Sequence, residues 1–125
     1  MAATAAEILA AALEQDADAQ ERGGELDLAA HMASVRRQVL PINNIPRPVF
    51  RLALRFWREW DHAHRSGWRY YGPMTEQDWP AAARLIASHV RTGRLPQDRA
   101  ILDSFVRRRL ALPWRDLKQL LGSAE

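Results

Sequence analysis

The sequence predicts an all-α fold, a compact bundle of five to six short helices with no sheet. Apolar residues recur three and four positions apart along most of the chain. Capping residues and Gly or Pro stops punctuate it at intervals that suit short helices. No run of alternating β-branched residues occurs. The length of 125 residues falls within one domain. A chain of this size buries about two-thirds of its unfolded surface, enough for one core.

The first helix is placed at 5–21. Thr4 and Glu7 have capping-box spacing, and Gly23-Gly24 is a stop. Ile8, Leu9, Ala12 and Leu13 share one side of it. Asp27 caps a second helix at 28–39, with Leu28, Met32, Val35 and Val39 on one face and Pro41 at its end. Residues 1–40 therefore read as an acidic N-terminal helical hairpin. It is too small to be a domain of its own, so it packs on the rest. The stretch 41–48 holds three prolines and forms a semi-rigid connector. Residues 49–125 complete a basic helical bundle within the same single domain.

Pro48 suits the first turn of a third helix, which runs to about Ser66 or through Gly67 to Tyr71. Gly72-Pro73 closes it. Thr75 and Asp78 again have capping spacing, ahead of Pro80. The fourth helix then continues to Thr92, with Trp79, Ala83, Ile86 and Val90 inward and Gly93 at its end. A fifth covers 97–110, with Ile101, Leu102, Phe105 and Val106 as its apolar side. Pro113 opens a short sixth that carries Trp114, Leu117, Leu120 and Leu121.

Composition excludes several function classes. Hydrophobic residues are 47% and charged residues 26%, which is ordinary for a globular protein. Cysteine is absent, so disulfides, thiolate metal sites and a cysteine nucleophile are excluded. No apolar run approaches the roughly 20 residues that span a bilayer, and no positively charged n-region opens the chain. A soluble, cytoplasmic protein with no membrane partner is expected.

The formal net charge of +3 hides a strong asymmetry. Glu7, Glu14, Asp16, Asp18, Glu21, Glu25 and Asp27 lie in residues 1–34, against Arg22 alone. The bases that follow are arginines apart from Lys118. A GC-rich gene produces the same arginine bias. The functional reading is that a planar guanidinium fork grips phosphate. A basic segment set beside an acidic one points to a polyanion partner.

The third helix carries the sharpest pattern. Arg47, Arg51, Arg55, Arg58, His62, Arg65 and Arg69 recur at intervals of three and four. At about 100° per residue they fall within an arc of roughly 80°. Val49, Phe50, Ala53, Trp57 and Trp60 lie on the far side. Like charges at this spacing repel by about 0.2–0.5 kcal/mol per pair. Glu59 and Asp61 lie off the arc, so the row is expected to repel itself and to draw a counter-charge from outside. That counter-charge is a polyanion or an acidic protein surface, this chain's own residues 1–34 included. A mixed solvated face is the plainer alternative.

Aromatic residues interleave with these bases. Phe56, Trp57, Trp60, Trp68, Tyr70 and Tyr71 crowd one stretch, and Trp79 follows. Rings among arginines are what single-stranded nucleic-acid binding uses, with stacking contributing about 1–3 kcal/mol per base. The phase of Trp57 and Trp60 assigns them to the core, which leaves Trp68, Tyr70 and Tyr71 as candidate stacking rings. Arg107-Arg108-Arg109 ends the fifth helix, where cations favour the helix dipole. Arg107 and Arg108 extend the basic surface if that helix packs beside the third.

No catalytic residue, metal site or cofactor is assigned. His62 and His64 point about 160° apart on a helix and cannot chelate one ion from the same face. No His-Glu-x-x-His motif, phosphate-binding Gly loop or nucleophile elbow occurs.

A short, cysteine-free, arginine-rich helical chain resembles the small helical subunit of multi-subunit CRISPR effector ribonucleoproteins. The resemblance covers the whole chain in size, helicity and basic surface, and carries over Arg47, Arg51, Arg55, Arg58, Arg65 and Arg69. It implies a non-catalytic subunit that helps hold guide–target or displaced-strand nucleic acid. The acidic N-terminal 34 residues depart from that pattern. The reading is therefore non-enzymatic binding to the sugar–phosphate backbone within a larger complex. Single strands or an RNA–DNA hybrid are favoured over sequence-specific duplex, with protein partners or self-association in that complex. Two alternatives stand beside it. One is a helical adaptor or inhibitor of an acidic protein. The other is a helix-turn-helix regulator built from the fourth and fifth helices, although Pro96 interrupts its connector.

Overall fold

The computed structural model describes residues 4–42, 44–68 and 76–93. Four helices make up this region: α1 (Ala5–Glu21), α2 (Leu28–Val39), α3 (Arg47–Arg65) and α4 (Asp78–Thr92). The described residues contain no strand. The fold is thus all-helical here. The expected fifth and sixth helices lie outside the described residues.

Local chemistry fixes the first two helices where the sequence places them. The Thr4 hydroxyl accepts a hydrogen bond from the Glu7 amide at 3.1 Å, and an Asp27 carboxylate oxygen accepts from the Ala30 amide at 3.2 Å. Each satisfies one amide that a helix start leaves unpaired. Gly23 closes α1 at φ 73° and Gly93 closes α4 at φ 67°, a region that only glycine enters without a Cβ penalty. Pro48 falls in the first turn of α3. The start of α4 differs from expectation. Its N-cap position is Gln77, whose side chain makes no capping bond, and Thr75 of the expected capping pair lies outside the described residues.

Each helix packs chiefly on two neighbours, in the cyclic order α1, α2, α3, α4. The expected hairpin partner of α1 is α2, yet α1 packs most extensively against α4. Alanines allow this close approach. Ala5, Ala10, Ala12 and Ala17 of α1 and Ala82, Ala83 and Ala87 of α4 are all buried. The bulk of the core comes from α3. Phe56, Trp57 and Trp60 are wholly buried there, and the Phe56 ring lies 5.6 Å from those of both Trp60 and Trp79. Each large side chain of this kind stabilises by about 1.5–3 kcal/mol. Ile45 pins the connector by burying its own side chain, and a Cβ at Gly93 would stand 3.6 Å from the Pro46 ring. The end of α4 therefore meets the start of α3.

Beyond α3 the chain turns sharply. Gly67 and Trp68 are both left-handed, at φ 70° and 68°, and the Trp68 amide donates to the Ala63 carbonyl at 2.8 Å. A bulky residue in this region is strained.

Candidate nucleic-acid interface

The apolar side of α3 faces the bundle, so its arginine row faces outward. Arg47, Arg51, Arg58, His62 and Arg65 are exposed, while Val49, Ala53, Phe56, Trp57 and Trp60 are buried. Arg55 is half-buried at the edge of the row. Arg36 and Arg37, in the last turn of α2, are also exposed. The connector between Val39 and Arg47 is short, so they stand at the same end of the bundle as Arg47.

The row does not repel itself along its whole length, which corrects the expectation drawn from its phase. Arg55 Nε lies 2.8 Å from Glu59 Oε1, as an ion pair without the alignment of a hydrogen bond. Arg65 Nε lies 3.2 Å from Asp61 Oδ2. Both are i,i+4 pairs. Glu59 and Asp61 flank the stripe by about 40° on either side, within reach of a long arginine one turn away. Arg36, Arg37, Arg47, Arg51 and Arg58 enter no ion pair among the described residues.

The acidic N-terminal segment does not lie across this row. Four of its carboxylates face α4 instead. Arg91 binds Glu7 and Glu14, each at 2.7 Å, and Arg84 binds Asp18 at 2.7 Å and Glu21 at 3.1 Å. Hydrogen bonds from Arg91 and Arg84 hold the Glu14 and Glu21 carboxyls below their usual range. The same bonds push both guanidinium pKa values up. The signal was present in the sequence. Glu7, Glu14 and Glu21 recur every seven residues, as do Arg84 and Arg91. That is the period of two helices laid side by side.

The aromatic candidates separate. Trp57, Trp60 and Trp79 belong to the core, as the phase of the first two indicates. Trp68 is half-buried, packed against that core with its ring 5.4 Å from that of His64. Arg69, Tyr70, Tyr71, Arg107 and Arg108 lie outside the described residues, and so does the second helix of any helix-turn-helix.

One polar network was not foreseen. Asp16 is buried, only 8% exposed, on the apolar face of α1. It accepts a hydrogen bond from Trp57 Nε1 at 2.9 Å, and both its oxygens lie 2.9 Å from His31 Nδ1. The bond to Asp16 raises the His31 pKa, against the opposing effect of burial. One turn on, Trp60 Nε1 donates to Gln20 Oε1 at 2.8 Å. An acid at a core register of α1 was the available clue. An open groove of about 500 Å³ lies between α1 and α2, lined by Ile8, Ala11, Ala12, Gln15, His31 and Val35 among others. Among the described residues no three His, Asp or Glu side chains are grouped to hold a metal, and no helix is long and apolar enough to cross a membrane. No protein-family model, curated protein or solved structure matches the chain.

Proposed function

We propose that this protein is a non-catalytic nucleic-acid-binding subunit that grips the sugar–phosphate backbone with α3. One observation carries the reading. Glu7, Glu14, Asp18 and Glu21 of α1 are taken up by Arg84 and Arg91, while Arg36, Arg37, Arg47, Arg51 and Arg58 stay exposed and unpaired among the described residues. An uncompensated row on a rigid helix attracts a polyanion, and arginine matches phosphate geometry. Such contacts position a protein without reading sequence. A place inside a larger nucleoprotein complex, like that of the small helical CRISPR effector subunits, suits a chain of this size and charge.

The test replaces Arg47, Arg51 and Arg58 together with Gln. Binding to nucleic acid should weaken on every sequence, and the salt slope should flatten by about 2 to 3 units. Unchanged affinity and slope in a variant that melts like the wild type would refute the reading.

A second reading is an adaptor for an acidic protein. It is favoured by Leu40 and Ile42, which are 46% and 49% exposed just beyond Arg36 and Arg37. Apolar and basic groups together suit a protein surface. A native complex that survives nuclease treatment would favour this second reading.

A further inference from the structure

We infer that the polyanion on this face is double-helical, engaged from one phosphate ridge to the other across a groove, and is not a single strand. The inference rests on the nucleic-acid reading above and names its substrate class.

The first argument is the placement of the rings. Single-strand binding without sequence preference needs exposed aromatics for successive bases to stack on. Phe56, Trp57 and Trp60 of α3 are wholly buried on the side away from the arginines, and Trp79 of α4 is buried with them. The indoles of Trp57 and Trp60 are also tied by hydrogen bonds to Asp16 and Gln20. They cannot turn outward without breaking the core. Phe50 and Trp68, the half-buried rings at either end of the helix, also pack against the core, so among the described residues the arginine face of α3 offers cations and no fully exposed ring.

The second argument is the spacing of the cations. The Arg55–Glu59 pair neutralises the middle of the row. Among the described residues of α2 and α3, the unpaired arginines fall into two groups. Arg47 and Arg51 stand with Arg36 and Arg37 at the corner between α2 and α3, and Arg58 stands further along α3. The helical rise puts Arg58 about 10 Å beyond Arg51. A B-form major groove is about 12 Å wide. Two cation groups at that separation suit two phosphate ridges.

The third argument is rigidity. One whole side of α3 is anchored in the core, so the cations are held at fixed spacing. A duplex presents its phosphates already in place, at one charge per ~1.7 Å of axis. A single strand must be ordered to match, and it has half that charge density.

The test uses the full chain and fluorescence anisotropy at about 50 mM salt. The probes are a mixed-sequence DNA duplex of about two helical turns, the RNA–DNA hybrid of the same sequence, and each separated strand. The DNA duplex should bind about tenfold more tightly than either strand, and the hybrid, with its narrower A-like major groove, should fall between them. Arg51→Gln and Arg58→Gln should each weaken duplex binding several-fold. They should narrow the gap between duplex and strand. Circular dichroism confirms that both variants stay folded. Strands that bind as tightly as the duplexes, or more tightly, would overturn the inference and leave the nucleic-acid reading in place. Binding to none of the probes would overturn both.

Discussion

The Trp57 indole N–H donates to Asp16 Oδ2 at 2.9 Å, joining α3 to α1 through the only charged residue buried among those described. His31 completes the contact from α2, so one carboxylate ties three helices together. A buried charge is tolerated only when it is paired and hydrogen-bonded, and this one has both kinds of partner.

Asp16→Ala should therefore cost far more than a surface change. It leaves the Trp57 N–H buried without an acceptor and removes the counter-charge of His31. The expected loss is about 2–4 kcal/mol, read as a lower urea midpoint. Trp57→Phe keeps the ring and removes only the donor, so its loss should be smaller, about 1–3 kcal/mol.

Stability should also depend on pH through His31. Its folded pKa is raised above the ordinary value of 6.5 by the bond to Asp16. A raised folded pKa means that the folded state holds the proton more tightly. The stabilisation is fully present below the unfolded pKa and is lost as pH rises through the folded one. The melting temperature should fall as pH rises above the ordinary histidine value of 6.5, and His31→Gln should flatten that decline.

The two sets of arginines should behave oppositely under substitution. Arg91→Gln removes the ion pairs to Glu7 and Glu14 and should cost up to about 1 kcal/mol, with little effect on binding. Its loss should shrink as pH falls below 4.5, because the depressed folded pKa of Glu14 gives stability that exists only above that range. Arg51→Gln should stay within about 0.5 kcal/mol of the wild type and weaken binding. Urea titrations at two pH values and one binding assay separate the sets.

Deleting residues 1–34 should not unmask the arginine row. The cut removes α1, with the buried Leu9 and Leu13, and half of α2. The remainder should lose its cooperative thermal transition by circular dichroism. A folded deletion variant that binds nucleic acid more tightly would contradict the packing described above.

The sequence made α1 and α2 legible to the residue because Thr4, Asp27 and the following stops are local signals. It made the arginine row legible because a single helix carries it. It hid whatever depends on two helices meeting. Asp16 sits at a core register on α1, and nothing nearby in the chain marks Trp57 and His31 as its partners. The α1–α4 ion pairs join residues more than sixty positions apart, so they were read as an acidic segment and a basic one. The Glu59 and Asp61 pairs were missed for another reason. Angular phase follows the Cβ direction and ignores how far an arginine reaches.

The pairing of α1 with α4 also bears on how the chain is made. Helix α1 is synthesised before the other three helices, yet the helix it packs against most is completed only at Thr92, about 70 residues later. At a synthesis rate of about 5–20 residues per second, that interval is roughly 4–14 s. Throughout it the leucines of α1 have no α4 to cover them, and Asp16 has no Trp57 until α3 emerges. Folding during translation is therefore gated by the arrival of α4.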